Sequence, residues 1–167
     1  TKLVAKSRGL VYRMMFCFGD EMQWKEVYSG AEFQLTHFEG MLCRIEETEE
    51  VCPYGPESNY KWVQILIPHG KLDNILSCLQ ISDEIFHYKY HNIKLSRFKL
   101  PSESRMIIKQ ASRCPYKGAI KRMYLESKVT ELLAVCLYAL TERNPSKANI
   151  IKLSRSDLES IHRAKDI

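Results

Sequence analysis

None of the seven glycines in this 167-residue chain stands beside another. They fall singly at positions 9, 19, 30, 40, 55, 70 and 118, so no glycine-rich loop cradles a phosphate, and the P-loop and dinucleotide fingerprints are both missing. G-x-S-x-G is missing too, which removes the nucleophile elbow of serine hydrolases. No apolar run approaches the roughly 18 residues of a membrane span. The opening Thr1-Lys-Leu-Val-Ala-Lys6 carries charge where a signal peptide needs an apolar stretch. The six cysteines (Cys17, Cys43, Cys52, Cys78, Cys114 and Cys136) form no C-x-x-C pair and no metal-finger spacing. They read as reduced thiols in a cytoplasmic protein.

What is present is ordinary globular material: 45% hydrophobic and 27% charged residues, with a net charge of +5. The charge is uneven. Residues 1–100 carry 12 Lys and Arg against 13 Asp and Glu, whereas residues 101–167 carry 13 against 7. A basic second half is either a solvated helix face or the approach to a nucleic-acid-binding module.

The first two-thirds read as β-rich. Val11–Phe18 is a short apolar and aromatic run closed by Gly19-Asp20, a strand followed by a turn. Residues 32–36 alternate, Met41–Ile45 follows Gly40, and Tyr60–Ile67 is the clearest strand, stopped by Pro68. Short strands separated by turn signals predict an antiparallel β-barrel or sandwich. At Pro68 the period changes: Leu72, Ile75, Leu76 and Leu79 recur at helical spacing. Residues 82–90 suggest another turn or two of helix, and Pro101 opens a helix to about Ser112. A long amphipathic helix then spans Tyr116–Leu140. Its apolar stripe (Met123 or Tyr124, then Leu125, Val129, Leu132, Leu133, Cys136, Leu137 and Leu140) is wider than one seam, so one edge is expected to cover the sheet while the other meets a second copy. A final helix is expected from Leu153, with Ser154 and Asp157 resembling a capping box; the sequence stops partway along it and is expected to continue.

No catalytic set stands out. His87 and His91 have a helical ligand spacing but lack the glutamate that a zinc protease places beside the first histidine. His37 and Glu39 offer one imidazole and one carboxylate on a strand, where a metal-binding β-barrel needs a second histidine close by. No catalytic residue, metal ligand or cofactor is therefore assigned, and a metal-dependent enzyme built on the barrel is the rival reading. A small barrel or sandwich still holds a small ligand. Its candidate walls are Tyr12, Arg13, Trp24, Arg44, Trp62 and Gln64. Arg13 and Arg44 are the sharper choices, because an arginine on an apolar strand faces either water or an anion.

The segments Cys114–Gly118, Tyr124–Lys128, Glu131–Ala134, Leu153–Asp157 and Ile161–Ala164 resemble AraC-type bacterial transcription regulators, in the branch typified by the pyochelin regulator. Met14–Phe18 and Val63–Pro68 resemble the first half of the same branch. The resemblance implies an α+β fold, a cupin-like antiparallel β-barrel or sandwich followed by dimerising helices. It implies a sensing domain over 1–100, a dimerisation segment over 101–143, and a linker with the first helix toward an absent helix-turn-helix domain over 144–167. It further implies a homodimer joined through Leu125, Val129, Leu132, Leu133, Cys136 and Leu140, an unidentified small-molecule effector, and DNA contact only through the missing C-terminal part.

Overall fold

A computed structural model of the protein describes residues 2–53, 55, 57 and 59–142. The strands are β1 (Lys2–Ser7), β2 (Val11–Cys17), β3 (Met22–Glu26), β4 (Glu32–Leu35), β5 (Glu39–Ile45), β6 (Thr48–Pro53), β7 (Trp62–Pro68), β8 (Tyr88–Lys89) and β9 (Ile93–Lys99). The helices are α1 (His69–Cys78), α2 (Ser102–Ser112) and α3 (Gly118–Thr141), with a 3-10 turn at Asp83–Ile85. The strands form two antiparallel sheets, in the orders β1-β6-β3-β4 and β7-β2-β5-β9-β8. The fold is α+β, with a two-sheet sandwich rather than a closed barrel.

The five-stranded sheet is the middle layer, and β2 shows why. Side chains alternate across a strand, and both sets on β2 are apolar or paired. Tyr12, Met14 and Phe16 join a core with the helices, alongside Leu42, Leu72, Phe98, Leu132 and Leu137. Met15 and Cys17 point the other way, into a core shared with Met22, Trp24, Phe33 and Leu35 of the four-stranded sheet. A strand buried on both faces reads as the continuous apolar run seen in the sequence. Gly40 on β5 sits between β2 and β9. A Cβ there would come within 2.6 Å of the Phe98 ring, so the missing side chain makes room for the edge-to-face pair of Phe16 and Phe98, 6.5 Å between centroids.

The helices follow the signals expected of them. Pro68 and Pro101 occupy the N-cap positions of α1 and α2. Leu72 and Leu76 of α1 and Ile107 of α2 turn inward. α3 is divided along its length. Leu132, Leu133, Cys136, Leu137 and Leu140 are buried in the chain's own core, whereas Ile120 and Met123 in the first half are exposed.

Several elements differ from expectation. β1, β3, β6 and β9 are strands that the pattern of apolar runs did not reveal, because charged and polar residues break up each of them. Residues 82–90 hold a 3-10 turn and the short β8 rather than an α-helix. His37 lies in the turn before β5, where Phe38 adopts a φ of 59°, and not on a strand. The helix expected from Leu153 lies outside the described residues.

Candidate functional site

The two sheets part along one side, between β1 and β7, which are edge strands of their respective sheets. Inner-face residues are exposed there: Leu3 on β1 is 46% exposed and Trp62 on β7 is 37% exposed. Behind this opening lies a cavity of about 180 Å³. Arg13 and Met15 enter from β2, Trp62 and Gln64 from β7, Met22 and Trp24 from β3, and Glu50 and Cys52 from β6. The register explains the convergence. Met15 pairs with Gln64 and Cys17 with Trp62, so β2 and β7 present these side chains to the same face.

Arg13, Glu50 and Trp24 form the polar floor, and each is at least nine-tenths buried. The Arg13 guanidinium meets the Glu50 carboxylate as a two-pronged pair, Nη1 donating to Oε2 and Nη2 donating to Oε1, the latter at 2.6 Å. Trp24 Nε1 donates to the same Oε1 at 3.1 Å. Burial works against the guanidinium's charge, yet the hydrogen bonds and charge of Glu50 outweigh it and raise the Arg13 pKa above its ordinary value. Arg13 Nε has no hydrogen-bond partner among the described residues. Cys43 stands opposite Arg13 on β5, and burial pushes its thiol up to about 12, so it stays protonated. The arrangement is a charge-balanced floor ringed by tryptophan, methionine and glutamine. At about 180 Å³ the cavity lies below the roughly 300–1,000 Å³ of drug-sized ligand pockets, so it has room only for a small molecule.

Four of the six residues read from the sequence as ligand walls thus meet at one cavity: Arg13, Trp24, Trp62 and Gln64. Tyr12 and Arg44 do not. They pair across β2 and β5 and face the helix side. Tyr12 Oη donates to Asp73 Oδ1 of α1 at 2.5 Å, and His69 Nδ1 lies 3.2 Å from Asp73 Oδ2. Arg44 lies 3.5 Å from Asp83 Oδ2, which Lys94 also contacts. Burial and the Asp73 bond raise the Tyr12 pKa, and the same bond lowers that of Asp73. This second cluster ties α1 and the 3-10 turn to the sheet.

Sequence reasoning missed Glu50. It sits among Glu46, Glu47 and Glu49 and reads as part of a solvated turn. The available signal is the alternation of Thr48, Glu50 and Cys52, which are buried while Glu49 and Val51 are not. Of the residues expected at a dimer interface, Leu132, Leu133, Cys136 and Leu140 are enclosed by the chain's own core. Leu125 and Val129 are half-buried and face β7 and α1 across a groove. What α3 leaves exposed is a different stripe, Ile120, Met123 and Tyr138, with Ser127, Glu131 and Ala134 between them at helical spacing. Among the described residues, no three His, Cys, Asp or Glu side chains gather into a metal-binding group, and no helix is long and apolar enough to cross a membrane.

Residues 5–153 match the family model described as the regulatory protein PchR N-terminal domain. The chain belongs to that family, the N-terminal domains of AraC-type transcription regulators. No curated protein sequence matches the chain. Among solved structures it is similar to ToxT from Vibrio cholerae. The apo form of a ToxT variant from strain SCE256 gives a TM-score of 0.47 at 9% identity, covering 99% of this chain and 64% of that one. A second ToxT crystal form gives 0.48 at 8% identity, covering 92% and 60%. Wild-type ToxT with a bound unsaturated fatty acid gives 0.47 at 12% identity, covering 100% and 63%. The chain thus spans under two-thirds of the length of these ToxT chains.

Proposed function

We propose that this regulatory domain senses a small-molecule effector in the sandwich cavity and is not an enzyme. Arg13, Trp24, Trp62 and Gln64 contact the effector. The observation that carries this reading is the convergence of those four residues, from three strands, on one cavity that opens between two sheet edges. The effector arrives through the gap between β1 and β7.

Residues 1–100 are the sensing part, 101–143 the helical dimerisation part, and 144–167 lead toward a DNA-binding half. Two copies associate in the cytoplasm through the exposed stripe of α3, centred on Ile120, Met123 and Tyr138, rather than through the leucines that the core already uses. Coupling runs through β2. Its Arg13 and Met15 line the cavity, while Tyr12, Met14 and Phe16 pack in the same core as Leu132 and Leu133 of α3. An effector that shifts β2 re-packs α3, and tightly packed layers pass such a shift on as a choice between discrete arrangements. The two DNA-binding heads then change in spacing or freedom, a shift in population between states.

Native mass spectrometry of the chain tests this. The expected result is a dimer carrying a small organic mass that leaves on denaturation and is absent from Gln64→Trp, which fills the cavity. Ile120→Asp with Met123→Asp should give a folded monomer. A bare wild-type monomer overturns the dimer. An adduct consisting of a metal ion alone overturns the organic effector in favour of a metal-dependent role.

A further inference from the structure

The sandwich has a second mouth, opposite the first, between the edge strands β4 and β8. A slot of about 190 Å³ lies there. Register builds its first wall. Met41 pairs with Arg97 and Leu95 with Tyr88. Met41 and Leu95 belong to the sandwich core, so Arg97 and Tyr88 turn to the same face. Tyr90 follows two residues after Tyr88, and its ring meets Phe33 of β4 edge to face, 5.1 Å between centroids. Inner-face side chains of a sandwich normally cover one another, yet Tyr88 and Tyr90 are 45% and 39% exposed. The second wall is backbone. Arg97 Nη1 donates to the Gln34 carbonyl at 3.2 Å, so Gln34 turns its C=O, and with it its N–H, toward the slot, and strand alternation points the backbone of Glu32 the same way. The Arg97 guanidinium also lies over the Tyr88 ring, 5.9 Å from its centroid.

We propose that this slot is a second ligand site, for a neutral, planar heteroaromatic ring whose edge alternates hydrogen-bond donor and acceptor, the class that includes the nucleobases. The rings set the shape, because Tyr88, Tyr90 and Phe33 give a flat π-system surfaces to stack on. The edge of β4 sets the polar pattern, because N–H and C=O groups alternate along it as donors and acceptors do along a base. The volume sets the size: it lies below the roughly 300–1,000 Å³ of larger ligand pockets, with room for a ring system but not for an attached sugar and phosphate or a long hydrocarbon tail. The charges set neutrality. Arg97 is engaged by Tyr88 and Gln34, and Glu32 at the rim lies 3.5 Å from Lys25. The site is separate from the Arg13 cavity and does not depend on its reading. One aromatic stack links the two: Phe33 lies 5.7 Å from Trp24, whose Nε1 donates to Glu50.

Isothermal titration of the 167-residue chain with adenine and with cytosine tests the proposal. At least one should bind saturably, with an affinity that added salt leaves unchanged. Dimethylation of the exocyclic amine of that base removes its donor and should weaken binding. Tyr88→Ala with Tyr90→Ala should weaken it roughly tenfold, whereas Tyr88→Phe with Tyr90→Phe, which keeps the rings, should retain it. Gln64→Trp should change nothing, and tryptophan emission should shift on binding because Phe33 stacks on Trp24. Failure of both bases to bind overturns the site, as does binding that survives loss of both rings or that Gln64→Trp abolishes. Loss of binding in the phenylalanine pair overturns stacking as its basis. Equal affinity for the dimethylated base overturns recognition by the β4 edge, binding that salt weakens overturns a neutral ligand, and constant emission overturns the link to Trp24.

Discussion

The central sheet has two buried faces, and they are built from different materials. The helix-side core is dominated by leucine and phenylalanine: Leu42, Leu72, Leu132, Leu133, Leu137, Phe16, Phe86 and Phe98 among them. On the sandwich side, half of the twelve buried hydrophobic residues of the core cluster are methionine or cysteine: Met15, Met22, Met41, Cys17, Cys43 and Cys52. Branched and aromatic side chains have few rotamers and specify one packing, whereas unbranched methionine adapts to irregular space. The stiff face holds helices at fixed positions. The soft face surrounds the cavity and the Arg13–Glu50 pair, the place where the proposed effector would require the walls to adjust.

The sharpest way to break this comparison is Glu50→Ala. Removing one partner of a buried ion pair leaves the other uncompensated, a cost of about 3–5 kcal/mol. Urea denaturation should show that loss, and Arg13→Met with Glu50→Met should recover most of it, since an apolar pair of similar size fills the site without charge. A loss below about 1 kcal/mol for Glu50→Ala, the level of an exposed pair, would mean the floor is wet.

A smaller effect separates the faces residue by residue. Met41 and Leu42 are neighbours on β5 that enter opposite cores, at 1% and 0% exposure. Leucine–methionine exchange conserves volume and costs less than about 1.5 kcal/mol. Leu42→Met should cost more than Met41→Leu in thermal unfolding, because the helix side has less freedom to repack. Equal costs would remove the distinction between stiff and soft faces.

The smallest effect concerns the outer sheet. Glu26 ends β3 and accepts hydrogen bonds from the backbone N–H groups of Tyr28 and Ser29 and from Ser29 Oγ. Burial opposes its charge, but these donors outweigh burial and lower its pKa below the ordinary carboxylate range. A lowered folded-state pKa contributes stability that is full above the unfolded value, near 4.3, and fades as pH falls through the folded value. The urea midpoint of the native chain should exceed that of Glu26→Gln at pH 7, and the gap should close as the pH falls below about 4. A gap that does not change with pH would assign the effect to packing.

Much of this was legible before any tertiary structure. Period changes at Pro68 and Pro101 mark the helices, and the apolar run Val11–Phe18 marks the strand at the centre of the molecule. Arg13 is visible as an oddity on that strand. Other features were not. Arg44 looks as good as Arg13 in the sequence and Tyr12 is a candidate beside them, but strand parity sends Tyr12 and Arg44 to the helix side, where Asp73 and Asp83 meet them. Glu50 hides among glutamates until β6 pairs with β1 and β3 and turns every second residue inward.

The sequence by itself determined the helices opened by Pro68 and Pro101, the central strand, the family and the presence of an arginine where an apolar strand has no use for one, because helical period, turn residues and composition are properties of neighbours along the chain. The tertiary structure alone decided which face each strand residue joins, that Glu50 neutralises Arg13, and that the leucines of α3 are spent on its own sheet. Those outcomes depend on register and on layers meeting across long sequence separations. A shift of one residue in pairing would send Tyr12 to the cavity and Arg13 to the helices.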